Sequence, residues 1–237
     1  MAKSRGETDS EVAIIRPVGL DLYDVEETEG RLLTRAGGRA LDWSADGEKI
    51  AFIGGNPLGR PNARTISTVD TDTGEVDEIY RLPPSDETDP PYLIDLTWSG
   101  DSKHLAFFVG GVPRHMSELW TIGADGSEPV RVLRTGEGGG AVAWSPDGQT
   151  FAWEGSVKDF PALMMAERPS WDPEMVEPYA YRPVWSKDGT QLAYVIGHEG
   201  HYAYRILVGA ADGSNPKTVA FPKDARGGTS MEDWASC

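Results

Sequence analysis

ALDWSADGEKIAFIGG, beginning at Ala40, decides the fold, because it returns three more times along the chain. DLTWSGDSKHLAFFVGG from Asp95, AVAWSPDGQTFAWEGS from Ala141 and RPVWSKDGTQLAYVIG from Arg182 align with it without gaps. The tryptophans are Trp43, Trp98, Trp144 and Trp185, each followed by serine, at spacings of 55, 46 and 41 residues. A self-similar period of about 40–50 residues is that of propeller blades built from four strands.

Each part of the motif has a local physical role. The residues up to the tryptophan form a short first strand. Ser-x-Asp-Gly supplies a tight turn, the aspartate bonding nearby backbone and the glycine taking a positive φ. Runs such as Ile50-Ala51-Phe52-Ile53 and Leu192-Ala193-Tyr194-Val195 then make a second strand buried on both faces. The small residue at its centre (Ala51, Ala106, Ala152, Ala193) suits close packing between neighbouring sheets. The second copy has Ser102 where the others have glycine, which predicts a stiffer or altered turn.

Third and fourth strands follow the motifs. After the first copy, 65–69 and 76–80 flank Asp70-Thr71-Asp72-Thr73-Gly74; after the second, 118–122 and 130–133 flank Ala124-Asp125-Gly126-Ser127; after the fourth, 204–208 and 217–220 flank Ala211-Asp212-Gly213-Ser214. These are hairpin signals with Asp-Gly turn chemistry. The third copy is irregular: residues 162–165 read as its third strand, and Pro169, Pro173 and Pro178 crowd its fourth. At the front, 20–25 and 31–34 read as the outer strands of another blade, and at the end Met231-Glu232-Asp233-Trp234 starts a fifth tryptophan strand. The expected architecture is therefore all-β: a β-propeller of four-stranded antiparallel blades, four clear and two partial, either an incomplete ring or a small one closed by the N-terminal strands. Residues 1–18 read as an N-terminal extension and 19–237 as the propeller, with blades at 19–37 (partial), 38–83, 92–136, 139–178, 180–222 and 229–237 (partial).

The pattern W-S-x-D-G-x-x-(I/L)-A-(F/Y), followed by a strand and an A-D-G-S hairpin, resembles the TolB-type, WD40-like (PD40) propeller repeat. It is also similar to the N-terminal propeller of prolyl-oligopeptidase (S9) family peptidases. The resemblance covers roughly residues 20 to 234. It implies a propeller commonly of six blades or more, and such propellers serve very different proteins. TolB-type resemblance implies work with partner proteins; S9 resemblance implies a propeller that gates a Ser-Asp-His domain lying outside this sequence.

Composition narrows the function. There are 22 basic against 38 acidic residues, a formal charge of -16. That disfavours nucleic acid and anionic membrane surfaces, which attract excess Lys and Arg. The single cysteine, Cys237, allows no internal disulfide and no cysteine metal cluster. No apolar run is long enough to span a bilayer and no signal-peptide core is visible, so the chain as written reads as cytoplasmic; a truncated start would leave periplasmic or extracellular placement open.

Candidate ligand-binding residues lie in the loops between second and third strands: Arg60, Arg64, Arg114, His115, His198 and His201. The turns at the opposite end carry Asp46, Asp70, Asp72, Asp101, Asp125, Asp147, Asp188 and Asp212. The expectation is a mildly basic rim on an acidic body, suited to an acidic or phosphorylated partner segment; ordinary solvated loops would have the same composition. His198-Glu199-Gly200-His201 has suitable metal-ligand types but no helical H-E-x-x-H spacing, and Asp70-x-Asp72-x-Gly74 covers only part of a calcium loop. No G-x-S-x-G nucleophile elbow occurs, since Gly228-Thr229-Ser230-Met231-Glu232 fails at its last position. Gly138-Gly139-Gly140 reads as a flexible inter-blade loop. The functional expectation is a noncatalytic scaffold for a protein or peptide partner, without catalytic residues, metal or cofactor. The alternative is the propeller portion of a prolyl-oligopeptidase-like serine hydrolase, with further blades or a catalytic domain in a longer parent chain.

Overall fold

The computed structural model describes residues 2–4, 11–16, 19–24, 30–36, 38–54, 63–85, 90–111, 116–137, 139–158, 160–198 and 201–220. Among these residues, twenty strands form five antiparallel four-stranded sheets, each from consecutive strands. The first holds β1 (Ala2–Ser4), β2 (Glu11–Arg16), β3 (Gly19–Asp24) and β4 (Gly30–Thr34). The second holds β5 (Gly38–Trp43), β6 (Lys49–Gly54), β7 (Thr65–Asp70) and β8 (Val76–Arg81). The third holds β9 (Tyr92–Trp98), β10 (His104–Gly110), β11 (Met116–Gly123) and β12 (Val130–Glu137). β13 (Val142–Trp144), β14 (Thr150–Val157), β15 (Phe160–Glu167) and β16 (Glu174–Pro178) form the fourth. β17 (Ala180–Trp185), β18 (Gln191–His198), β19 (His201–Ala210) and β20 (Lys217–Ala220) form the fifth.

One sequence expectation changes, and one irregularity is resolved. The front blade is a full sheet, not a partial one, because β1 and β2 lie within residues 1–18, expected as an extension. In the fourth sheet the prolines that crowd the outer strand leave it a full one: Pro169 lies in the preceding turn, Pro173 just before β16 and Pro178 at its last position. Such ends tolerate a missing N–H. The C-terminal stretch Met231–Trp234 lies outside the described residues.

Alternation within the second strand of each blade explains the stacking. In β6, Ile50 and Phe52 join a core with the first sheet, while Ala51 and Ile53 join one with the third. In β10, Leu105, Phe107 and Val109 face back, and Ala106 and Phe108 face the fourth sheet. In β14, Phe151 and Trp153 face back and Ala152 faces the fifth. The small central alanines Ala51, Ala106 and Ala152 thus all point forward, which lets the next sheet approach closely and interdigitate at native density. Four cores join the five sheets in sequence; among the described residues the first and fifth share none, and the ring is unclosed.

Every outer strand carries a bulge against its neighbour whose extra residue is aliphatic, at Leu33, Ile79, Val132, Val176 and Val219, and β12 has a second at Gly136. The first four pack into the core shared with the next sheet. At three interfaces a hairpin glycine of that next sheet (Gly74, Gly126, Gly213) lies directly on this residue. Val219, in the last described sheet, is 61% exposed.

Candidate functional site

The innermost strands β5, β9, β13 and β17 converge and touch one another. Between their turn-proximal ends lies an open cavity of about 460 Å³. Its walls include the edges of Trp98, Trp144 and Trp185, and its charged groups are Asp42, Asp95, Arg182 and Lys187.

The cavity carboxylates hold neighbouring sheets together. Asp42 Oδ2 accepts hydrogen bonds from Thr97 Oγ1 at 2.9 Å and from the Trp98 backbone N–H at 2.8 Å. Trp98 Nε1 in turn donates to the Asp42 carbonyl at 3.0 Å. One sheet further on, Asp95 Oδ2 accepts from the Val142 N–H at 3.1 Å. On the interface between the fourth and fifth sheets, burial pushes the Glu154 carboxyl upward, and the nearby Arg182 charge partly opposes it.

Below the cavity, each Trp-Ser-x-Asp turn pairs a hydroxyl with a carboxylate. Ser44 Oγ donates to Asp46 Oδ1 at 2.6 Å and accepts from the Lys49 N–H at 2.9 Å. Ser99–Asp101, Ser145–Asp147 and Ser186–Asp188 repeat the arrangement at 2.6, 2.6 and 2.7 Å. The hydroxyls close the turn; their lone pairs face the backbone of the second strand. Ser102 takes the left-handed conformation (φ 58°) that glycine takes in the other copies, so the turn is kept, not altered. Its hydroxyl accepts from the Asp46 N–H across the sheet boundary at 3.0 Å.

These turns make folding stability pH-dependent. Hydrogen bonding holds several carboxyls below the usual range: the Ser99 hydroxyl leads at Asp101, the Ser145 hydroxyl at Asp147 and the Thr190 N–H at Asp188. At Asp46 burial acts in the opposite sense, yet the Ser44 and backbone donors outweigh it. A carboxyl with a depressed folded pKa contributes stability above its unfolded value, near 4, and loses it as pH falls through the folded value. Glu154, shifted upward, works in the opposite direction and softens the loss. The thermal midpoint, followed by circular dichroism, is expected to hold from pH 7 to about 5 and fall steeply below about 4. The slope should be shallower in Ser145→Ala; an identical slope would contradict the assignment.

The sequence-derived rim residues have mixed placements. Arg60, Arg114 and His115 lie outside the described residues. Arg64 spends its guanidinium on backbone: NH1 donates to the Pro91 carbonyl at 3.0 Å, and NH2 to the carbonyls of Leu82 and Pro83. It ties the second blade's exit to the third blade's entry. His198 and His201 are cross-strand partners at the tip of the β18–β19 hairpin; their side chains lie outside the described set. Asp70 closes its hairpin by accepting from the N–H groups of Asp72 and Thr73 and from the Thr73 hydroxyl. Gly139 and Gly140 serve close approach, not flexibility: a Cβ at Gly139 would lie 2.8 Å from Phe108 and Ser117, and one at Gly140 3.0 Å from Glu154. Among the described residues no three His, Cys, Asp or Glu side chains gather as a metal site, and no helix is long and apolar enough to cross a membrane.

The tryptophan-anchored sheets, their axial cavity and their shared cores define a fold of stacked β-propeller blades. Among solved structures the chain is similar to TolB from Acinetobacter baumannii, with a TM-score of 0.69 and 15% identity over 91% of this chain and 52% of that one. A TolB structure from Agrobacterium tumefaciens gives a TM-score of 0.71 and 16% identity over 90% of this chain and 77% of that one. Dipeptidyl peptidase 4 from Porphyromonas gingivalis gives 0.54 and 11%, over 88% of this chain and 37% of that one. The chain therefore spans about half the length of the Acinetobacter TolB. No protein-family model and no curated protein sequence matches it. At these identities the likeness is one of fold.

Proposed function

We propose that the chain is a noncatalytic propeller scaffold that binds a protein or peptide segment at the end of its axial cavity. One observation carries this reading: the polar groups lining the cavity and its turns hold strands together. Asp42 and Asp95 accept from the next sheet's backbone, and the four serine hydroxyls close turns. The cavity thus presents shape, tryptophan edges and mixed charge more than a nucleophile–base pair. Likeness to TolB supports the reading.

A second reading, a propeller from a prolyl-oligopeptidase-like hydrolase, draws on likeness to dipeptidyl peptidase 4. The two separate experimentally. Panning a random peptide library on the chain should select peptides whose affinity falls at least tenfold in Ala143→Phe, which narrows the cavity. Failure to select any peptide, or affinity indifferent to that variant, would overturn the cavity as the binding site. Fluorophosphonate labelling of the natural full-length protein would favour the hydrolase.

A further inference from the structure

The outer wall of the third sheet holds an arrangement that sequence alternation hides. Arg131 and Arg134 are three residues apart on β12, so in a regular strand they would project from opposite faces. The bulge at Val132 changes that parity. Glu118 pairs with Arg134 and Trp120 with Arg131, and Glu118 and Trp120 share one face of β11. Both arginines therefore stand on the side turned toward the second sheet. Bulges on edge strands re-aim side chains in this way.

Glu118 fixes the pair. Its side chain is almost fully buried, and Oε1 accepts from Arg131 NH1 at 2.9 Å, Arg134 NH2 at 2.7 Å and Arg134 Nε at 3.1 Å. Oε2 takes the Trp120 indole N–H at 3.2 Å. Burial opposes ionisation of Glu118, but the Arg134, Trp120 and Arg131 donors outweigh it and hold the carboxylate charged. One carboxylate against two guanidinium groups leaves one positive charge in surplus. Roughly half of each arginine side chain is exposed, 48% for Arg131 and 44% for Arg134. Three guanidinium N–H groups go to Glu118, and the outward donors meet solvent. On a chain of net charge -16, this is a pre-oriented cationic pair, its side-chain entropy already spent.

We propose that Arg131 and Arg134, held by Glu118 on the bulged outer strand of the third sheet, form a clasp for the carboxylates of an acidic partner segment. Paired forks suit carboxylates bidentately. At physiological ionic strength the repulsion of the acidic body is screened beyond about 8 Å, so contact with the pair dominates. This surface is separate from the axial cavity and adds a second contact for a peptide partner.

The test uses a capped, fluorescein-labelled hexaglutamate peptide, titrated into the whole chain at about 0.15 M ionic strength. Saturable binding is expected. It should weaken at least tenfold in the triple variant Glu118→Gln, Arg131→Gln, Arg134→Gln, which strands no buried charge, with the thermal midpoint measured alongside. Arg131→Lys with Arg134→Lys keeps the charge but loses the planar forks, and should weaken binding several-fold. Lys217→Gln, at an exposed position on the fifth sheet, should bind like the parent chain. Absence of saturable binding by the parent chain overturns the clasp, as does equal binding by the triple variant. If the triple variant fails to fold, undiminished binding by the lysine pair overturns it. Ala143→Phe should leave this binding intact, so failure here and failure of the cavity reading are distinguishable.

Discussion

Trp144→Ala is expected to lower folding stability by about 3–5 kcal/mol, the range for truncating a large buried aromatic. Such a loss is a large share of a typical domain's total stability. Trp144 is almost fully buried in the core shared by the third and fourth sheets. Its ring lies 4.7 Å from that of Phe151, which lies 4.9 Å from Trp171, and Arg168 caps Trp171 at 5.2 Å. The variant therefore interrupts an aromatic row running from His104, 6.5 Å away, through the innermost strand to the β15–β16 turn. Position adds to the cost. β13 is only three residues long, so Trp144 supplies much of what keeps that strand in place. Thermal or urea unfolding would show the loss directly, and Trp144→Phe should be intermediate. A midpoint unchanged by the alanine substitution would mean that this tryptophan is not part of the core.

Gly126→Val carries the second large effect, for a different reason. Gly126 has φ 84°, in the left-handed region that β-branched residues strongly resist. A Cβ there would also fall 2.5 Å from the Ile79 carbonyl oxygen of the preceding sheet. Backbone strain alone is worth about 1–3 kcal/mol. The close approach adds to it, since relief would require separating the second and third sheets. Equilibrium unfolding of Gly126→Val should show at least this loss, and Gly126→Ala a smaller one. Stability equal to the parent would mean that the β11–β12 hairpin does not rest on the bulge residue Ile79.

The two substitutions mark what the sequence could and could not disclose. Trp43, Trp98, Trp144 and Trp185 announce the blades because the motif's chemistry is local: a serine and an aspartate two residues apart close the turn that follows. Alternation within β6, β10, β14 and β18 likewise shows that both faces are buried. The first sheet was half hidden. Its β1 is three residues with no aromatic anchor, and neither β1 nor β2 carries a Trp-Ser-x-Asp-Gly turn. Packing against the second sheet, through Ala13, Ile15, Leu20 and Leu22, identifies the sheet where local pattern does not.

The candidate sites were less legible, because they depend on which groups are already engaged. Arg64 reads as a rim cation, but its donors go to backbone carbonyls that are distant in sequence. Arg131 and Arg134 would lie on opposite faces of a regular strand, and only the register shift at Val132 brings them together on Glu118. Ser102 reads as a stiffer or altered turn, yet it adopts the glycine-like conformation and bonds to the neighbouring turn. Register and inter-sheet contact, not residue type, decided each case.

Hydrogen exchange of the intact chain, followed by mass spectrometry, tests the central claim most directly: four shared cores bind the five sheets into one interdependent stack. The account predicts that the central strands β6, β10 and β14 exchange slowest and that Trp144→Ala speeds exchange in both the third and fourth sheets. Acceleration confined to the fourth sheet, or β14 amides exchanging as fast as the hairpin tips in the parent chain, would contradict it.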